Sequence, residues 1–250
     1  MATEPRIIVR PNLQELSREA AARFQRLADD SIAAAGRFSV ALSGGSTPRA
    51  LYGLLAEPPF REAIDWPRVH LFWGDERFVP PDHPDSNYRL ARETFISRAS
   101  IPAGNVHRIP TEGRHPEAAA TQYEETLHRF FAVPKGGVPR FDLVLLGLGA
   151  DGHTASLFPG SPALSESHRL VVATHVPKLA AWRLTLTPPM LRGARHVVFL
   201  VSGSEKAHAL QEVLEGPYDP ERLPAQLVRL EEGDVTWLVD EAAASLLQRS

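Results

Sequence analysis

The stretch FDLVLLGLGADGHTASLFPG, residues 141–160, joins a buried strand to a glycine-rich loop. Its apolar run from Leu143 to Leu146 has the length and composition of a strand inside a sheet. Three glycines then follow in the G-x-G-x-x-G spacing that is typical of a dinucleotide-binding turn: Gly147, Gly149 and Gly152. The stretch predicts an α/β fold and raises the question of whether the loop binds a nucleotide.

A dinucleotide-binding loop needs a continuous helix after the glycines and an acidic residue at the end of the next strand. Here Pro159, Gly160 and Pro162 limit any helix to about two turns. The next predicted strand, LVVATHV, ends without an acidic residue. We therefore reject the dinucleotide interpretation of this loop.

The same loop carries Asp151 and His153, two residues apart. An imidazole changes charge near neutral pH and suits general base catalysis, and a neighbouring carboxylate can orient it and increase its basicity. A capped turn with a structural histidine is the commoner role of such a motif taken alone. The chain has ten histidines, and the other nine show no comparable setting in the sequence.

Strands and helices alternate on both sides of this stretch. Apolar residues at helical spacing predict one helix that begins after the N-cap Asn12 and ends at Gly36, and a second that includes Tyr123. Further helices are predicted near Glu205 and at the C-terminus. Strands are predicted at 38–42, 69–73, 142–146, 170–174, 182–186, 196–201 and 235–239. This order favours a parallel sheet covered on both faces. We interpret the segment AVPKGGVP (132–139) as a loop, so that residues 1–250 form a single domain.

The composition limits the classes of function. The chain has 250 residues, of which 43% are hydrophobic, and no cysteine, so disulfides and zinc–thiolate sites are excluded. The net charge of −3 gives no general attraction to nucleic acid or to an anionic membrane. The N-terminus MATEPRIIVRP lacks the apolar segment of a signal peptide, and no apolar run approaches ~18 residues. We expect a cytoplasmic protein with a small-molecule ligand.

In an open parallel sheet, ligands bind beyond the carboxyl ends of the strands. One such end carries SGGSTP (43–48), in which two glycines expose backbone amides, Ser46 and Thr47 are possible N-caps, and Pro48 suits a first helical turn. A loop of this kind at a helix N-terminus binds anions. A plain strand-to-helix turn with a good cap is equally consistent with this segment.

Two more strand ends carry charged residues. GDERF (74–78) presents Asp75, Glu76 and Arg77, and a guanidinium suits phosphate, although a surface salt-bridge cluster is the commoner role of such a group. Lys206 follows a Gly-Ser turn at the start of a predicted helix, where the helix dipole disfavours a cation and a bound anion would compensate.

Taken together, these segments resemble the 6-phosphogluconolactonase family, which is related to glucosamine-6-phosphate deaminase. The segments that carry the resemblance are ALSGGSTPRALY (41–52), WGDERFVPPDHPDSNY (73–88), LGLGADGHTASLFPG (146–160), RLTLT (183–187) and VFLVSGSEKA (198–207). The resemblance implies a three-layer α/β sandwich with a mostly parallel, Rossmann-like sheet. It also implies hydrolysis of 6-phospho-D-glucono-1,5-lactone in the oxidative pentose phosphate pathway, with no cofactor and no metal.

The family's catalytic histidine falls on His153, and its associated aspartate on Asp151. Substrate and phosphate contacts fall on nine residues: Ser43, Gly44, Gly45, Ser46, Thr47, Asp75, Arg77, Arg183 and Lys206. The sequence departs from the family just before Arg183, where VPKLAAW replaces a proline-rich run. We expect a monomer or a weak homo-oligomer.

Two alternatives remain. The deaminases share SGGSTP and DGH, but in them the DGH segment continues to an Asn-Glu pair whose Glu supports the histidine. This chain has no acidic residue between Asp151 and Glu166, which favours the lactonase. A sugar-phosphate sensor that has lost catalysis would lack the base, whereas Asp151 and His153 are both present.

Overall fold

The computed structural model describes residues 5–134 and 136–248. Its main sheet has six strands that are all parallel to their neighbours, in the order β1-β9-β8-β5-β2-β3. These strands are β1 (Arg6–Arg10), β2 (Phe38–Leu42), β3 (Val69–Trp73), β5 (Leu143–Leu146), β8 (His196–Val201) and β9 (Asp234–Asp240). Every residue of β2 and β5 is buried, which explains why these central strands are continuous apolar runs rather than alternating ones.

A second sheet is small and antiparallel. It contains β4 (Asp75–Arg77), β6 (Val171–Val176) and β7 (Ala181–Leu186), in the order β4-β7-β6. The prediction that the strands at 170–174 and 182–186 belong to the parallel sheet was therefore wrong. Only four residues separate β6 from β7, whereas a parallel crossover requires a dozen or more.

The α-helices are α1 (Leu13–Ala35), α2 (Ser46–Leu55), α3 (Phe60–Ala63), α4 (Asn87–Ala91), α5 (Pro116–Phe131), α6 (Pro188–Arg192) and α7 (Ala207–Glu215). The predicted caps of α1 are confirmed. The Asn12 side chain accepts from the Glu15 N–H, and Gly36 adopts a left-handed conformation with φ 75°. The helix predicted near Glu205 begins as the 3-10 turn Ser204–Lys206 and continues as α7. The predicted C-terminal helix is only the 3-10 turn Ala243–Leu246.

Helices cover both faces of the main sheet. Phe38 and Val69 are register partners and share one face, on which Phe24 of α1 packs edge-to-face against Phe38 with ring centroids 5.3 Å apart. Phe72, three residues after Val69, points to the opposite face, where it contacts Phe130 of α5 at 4.9 Å. The sheet between two helical layers confirms the predicted α/β sandwich. No helix in the described ranges is long and apolar enough to cross a membrane.

Candidate active site

The loop after β5 is a tight turn that positions two polar side chains. The Gly149 N–H donates to the carbonyl of His153, and the Gly152 N–H donates to the carbonyl of Gly149. A Cβ atom at Gly149 would lie 2.0 Å from His153 Nδ1, and Gly152 has φ +78°. The glycines are therefore required to seat His153 against the loop. No helix follows them directly, which agrees with the rejection of a dinucleotide-binding turn.

His153 and Asp151 form a hydrogen-bonded pair. Asp151 Oδ1 contacts His153 Nδ1, and Asp151 Oδ2 accepts from Lys178 Nζ at 2.8 Å. Burial raises the pKa of Asp151, but the hydrogen bonds from Lys178 and His153 outweigh it and hold that pKa well below its usual range. An ionised carboxylate requires that Nδ1 carry the hydrogen. Nε2 is then the basic nitrogen of the ring, and the Phe158 ring packs in a tilted orientation against the imidazole, with centroids 4.3 Å apart.

Tyr52 of α2 anchors the SGGSTP loop through two hydrogen bonds to Ser43. The Tyr52 hydroxyl accepts from the Ser43 N–H at 3.1 Å and donates to the Ser43 carbonyl at 2.7 Å. Ser43 Oγ is buried and, in the part of the chain that the structure describes, has no hydrogen-bond partner. Asn87 packs directly on Gly44, where a Cβ atom would lie 1.9 Å from Asn87 Oδ1. The loop therefore lines the site with backbone atoms and with Ser43, and not with bulky side chains.

The predicted N-caps in this loop were wrong. Gly45, with φ +109°, occupies the N-cap of α2, and Ser46 is the first helical residue. A residue with φ > 0 is most easily a glycine, so the cap falls one position earlier than the hydroxyl residues suggested. Ser46 and Thr47 do not line the site clefts described below.

The acidic residues of GDERF are internal supports and do not form a surface cluster. Asp75 is buried and accepts from Ser156 Oγ at 2.7 Å and from Asn87 Nδ2 at 3.3 Å. Glu76 is also buried and accepts from the backbone N–H groups of Asn87 and Tyr88 at 2.7 and 2.8 Å. Burial raises the pKa of Glu76 to about 7, although these hydrogen bonds act in the opposite direction. Glu76 therefore holds the loop that carries Asn87 into the site.

Arg77 and Arg183 are cross-strand register partners on β4 and β7. Arg77 donates to the Asp85 carbonyl at 2.6 Å, and no carboxylate of the described residues forms an ion pair with its guanidinium. The pKa of Arg183 is lowered, first by burial and then by the charge of Arg77. Like charges directly opposite each other destabilise a sheet. Such a pair is typical of a surface that binds an anion.

These residues meet in two adjoining clefts at the carboxyl ends of the strands. The first has a volume of about 200 Å³ and the second about 250 Å³, and both are lined by Asp75, Arg77 and His153. The first cleft also contains Ser43, Gly44, Gly45 and Lys206. The second also contains Asp151, Lys178 and Arg183. The structure thus brings together every predicted site residue except Ser46 and Thr47.

Three side chains of the site were not predicted from the sequence. Asn87 and Phe158 contact Gly44 and His153, and Lys178 contacts Asp151. For Asn87 and Phe158 the signal was weak, since both lie in turn-rich loops. For Lys178 a signal existed, because it lies in VPKLAAW, the segment that departs from the family pattern. Within residues 5–134 and 136–248, no group of three or more acidic or imidazole side chains could hold a metal ion.

Several known proteins are similar to this chain in sequence and in fold. The model of the family described as glucosamine-6-phosphate isomerases/6-phosphogluconolactonase matches residues 11–237. The 6-phosphogluconolactonase of Synechocystis sp. is 44% identical over 244 residues, covering 98% of this chain and 99% of that relative. The solved 6-phosphogluconolactonase from Trypanosoma cruzi has a TM-score of 0.88 and 34% identity, covering 100% of this chain and 99% of that one. A solved monomeric glucosamine-6-phosphate deaminase, with a TM-score of 0.78, 24% identity and coverage of 96% and 99%, shares the fold.

Proposed function

Because this chain belongs to the family of glucosamine-6-phosphate isomerases and 6-phosphogluconolactonases, we propose that it hydrolyses 6-phospho-D-glucono-1,5-lactone to 6-phospho-D-gluconate. One observation carries the proposal. The Asp151-bound imidazole of His153 lines the same cleft as the cations Arg77 and Lys206 and the SGG backbone. A base and an anion-binding surface in one cleft suit a phosphorylated ester whose reacting carbonyl lies away from the phosphate.

The proposed reaction needs one base and one water molecule. His153 Nε2 removes a proton from water as the water oxygen attacks the lactone carbonyl carbon, and a tetrahedral intermediate forms. The intermediate collapses with cleavage of the bond between that carbon and the ring oxygen. The imidazolium then gives its proton to the ring oxygen, which becomes a hydroxyl, and the base is regenerated. Because a lactone is an activated ester, no covalent nucleophile is required.

Asp151 supports this cycle through His153. Its carboxylate accepts from Nδ1 and so presents Nε2 as the acceptor for the proton of water. The ionised carboxylate also stabilises the imidazolium that exists between the two proton transfers. Two residues packed on the pair, Gly149 and Phe158, restrict the orientation of the ring.

The phosphate is assigned to Arg77, Lys206 and the amides at the start of α2, with Arg183 contributing from the cross-strand position. A phosphate held far from the carbonyl fixes the reacting end and lowers the entropic part of the barrier. We also propose that the reaction serves the oxidative pentose phosphate pathway in the cytoplasm. A monomer or weak homo-oligomer stays a prediction, which sedimentation analysis tests.

The deaminase reaction is the second candidate, and the structure around Glu166 disfavours it. Glu166 is the first acidic residue after Asp151 and accepts from the backbone N–H groups of His168 and Arg169 at 2.7 and 2.9 Å. It caps a turn and does not line either cleft. His153 therefore has no second carboxylate from this segment to support ring opening.

An assay with both substrates separates the candidates. Freshly prepared 6-phosphogluconolactone is mixed with the protein, and acid release is followed by pH-stat with spontaneous hydrolysis subtracted. In parallel, glucosamine 6-phosphate is tested for ammonia release. We expect the first activity only. Ammonia release without lactone hydrolysis would assign the deaminase reaction, and binding of 6-phosphogluconate without either activity would assign a sensor.

A further inference from the structure

The apex of the β6–β7 hairpin reaches the catalytic pair. The two strands are connected by the 3-10 turn Pro177–Leu179 and by Ala180, which adopts a left-handed conformation with φ 46°. Lys178 lies in this turn and lines the second cleft together with Leu179. The hairpin thus brings a lysine to the site from a sheet different from the one that carries Asp151.

The contact of Lys178 with Asp151 completes a three-residue chain. Lys178 Nζ donates to Asp151 Oδ2 at 2.8 Å, while Asp151 Oδ1 contacts His153 Nδ1 and accepts weakly from the His153 N–H at 3.4 Å. Each carboxylate oxygen therefore has a fixed partner, and rotation of the carboxylate would break both contacts. The ammonium also neutralises the carboxylate, so the chain Lys178–Asp151–His153 carries no net charge when the imidazole is neutral.

We propose that Lys178 is a positioning residue that fixes the Asp151 carboxylate and opposes the effect of that carboxylate on the protonation of His153. This inference rests on the proposed lactonase function. A carboxylate beside an imidazole favours the imidazolium, which cannot act as a base. A cation on the far oxygen of that carboxylate opposes this preference, while the carboxylate still orients the histidine.

The other charged groups near His153 do not replace Lys178 in this role. Across the two clefts, the charged side chains that share a lining with the imidazole are Asp75, Arg77, Arg183, Lys206, Asp151 and Lys178. Among the cations that line these clefts, Lys178 contacts Asp151, at 2.8 Å. Arg77, Arg183 and Lys206 are assigned to the phosphate, whose negative charge compensates theirs when substrate binds. Lys178 therefore acts on the Asp151–His153 pair both in the free protein and with substrate bound.

The test compares Lys178→Met, which keeps the length of the side chain without its charge, with Lys178→Arg, which keeps the charge. Arg192→Met is the matched control, because Arg192 is an exposed cation at the end of α6 outside both clefts. The dependence of kcat/KM on pH is measured for all four proteins. The titration midpoint of the His153 imidazole is measured by NMR without substrate.

In Lys178→Met, we expect the acidic limb of the kcat/KM profile and the NMR midpoint of His153 to move together to higher pH, by about 0.5–1 unit. The shift is no larger because the lysine is exposed to solvent, which screens its charge. We also expect kcat at high pH to fall about three- to ten-fold as Asp151 loses its fixed orientation. Lys178→Arg should restore both quantities, and Arg192→Met should change neither.

The outcomes distinguish this inference from the proposed function. If native protein does not hydrolyse the lactone, the function is wrong, and the NMR midpoint still tests the action of Lys178 on His153. If native protein is active and Lys178→Met shows an unmoved limb and midpoint, the inference is wrong, even if kcat falls. A loss of activity that is equal at every pH would assign Lys178 a role in the shape of the hairpin only.

Discussion

Two histidine–aspartate pairs lie at opposite ends of the main sheet, and their local geometry is nearly the same. In the loop after β5, His153 Nδ1 contacts Asp151 Oδ1, and at the amino ends of β8 and β9, His196 Nδ1 contacts Asp234 Oδ1. The histidine side chains are 30% and 33% exposed. Each aspartate also has a cation beside it, since Lys178 contacts Asp151 at 2.8 Å and Arg23 lies 3.8 Å from Asp234.

The difference between the two pairs lies in what surrounds them. His153 lines clefts that also contain Arg77, Arg183, Lys206 and the SGG backbone, whereas His196 and Asp234 line neither cleft. His196 and Asp234 are register partners on adjacent strands, so their contact joins β8 to β9. A histidine–aspartate contact therefore does not by itself identify a catalytic pair, and the convergence of anion-binding groups from other strand ends is the informative feature.

The largest effect is expected from removing His153, the proposed base of the first pair. His153→Gln and His153→Ala should lower kcat by about 10²- to 10⁴-fold, because no other side chain with a suitable nitrogen is placed on the loop to accept the proton from water. Calorimetry should show that both variants still bind 6-phosphogluconate. His196→Gln is the matched control and should keep the native kcat. If the two histidine variants lose activity equally, the distinction between the pairs fails.

The next effect concerns the cations that distinguish the two ends of the sheet. Arg77→Ala and Lys206→Ala should each raise KM for the phosphorylated lactone by roughly ten- to a hundred-fold, since a charge-assisted hydrogen bond contributes about 1.5–3 kcal/mol. Arg195→Ala, which removes an exposed cation beside Asp142 at the amino end, should leave KM unchanged.

Hydrolysis of unphosphorylated gluconolactone provides the second control for these variants. That substrate has no phosphate, so Arg77→Ala and Lys206→Ala should leave its slower hydrolysis nearly unaffected. Equal losses on both substrates would mean that these cations support the fold or the developing oxyanion. No loss on either substrate would make them ordinary surface charges.

A smaller effect is expected from Asp151→Asn. The amide keeps the shape of the side chain but can donate to Nδ1 and favour the tautomer with a hydrogen on Nε2. We therefore expect kcat to fall, though by less than after loss of the base. Steady-state kinetics should show little change in KM. Asp234→Asn, the equivalent change in the second pair, should leave kcat at the native value, and a fall in kcat there would show coupling between the two ends.

The sequence predicted the parallel sheet well because its strands are strongly patterned. The ranges 38–42, 69–73 and 196–201 agree with the observed strands residue for residue, since each is a short, mostly apolar run. The hairpin of β6 and β7 was correctly located but assigned to the wrong sheet. Its strand pattern resembles the others, and only the short connection indicates that the two strands are antiparallel.

The candidate site was predictable where its residues lie in contiguous motifs. Asp151, His153 and the SGG segment fall within a few residues of a strand end, and the structure brings them to one cleft. Lys178 and Asn87 were missed because each reaches the site across a sheet or loop contact far from its partner in sequence. Such contacts depend on tertiary packing, which local patterns do not encode.

The contact of His196 with Asp234 was not predicted, for the same reason. His196 and Asp234 are 38 residues apart, and only the parallel register of β8 with β9 brings them together. A pair separated by two residues is visible in the sequence, whereas a pair formed by strand register is not. For the visible pair, the position at the carboxyl end of a strand was the informative feature.

The smallest expected effect is on stability, and it tests whether the second pair is structural. The pKa of Asp234 is lowered from 3.8, first by the hydrogen bond from His196, while burial acts in the opposite direction and Arg23 contributes less. A carboxyl group whose pKa is lower in the folded state adds stability that is fully present above its unfolded pKa and is lost as the pH falls through the folded pKa.

Because Asp234 is 40% exposed, solvent screening limits this contribution to about 0.5–1 kcal/mol. Asp234→Asn should therefore lower Tm by about 1–3 °C at pH 7, and the difference from native protein should shrink as the pH falls below 3.8. Thermal unfolding followed by circular dichroism at pH 7, 5 and 3.5 measures this difference. A loss of Tm that is the same at all three pH values would show that Asp234 acts through uncharged contacts, and the pair would then differ from Asp151–His153 in chemistry as well as in place.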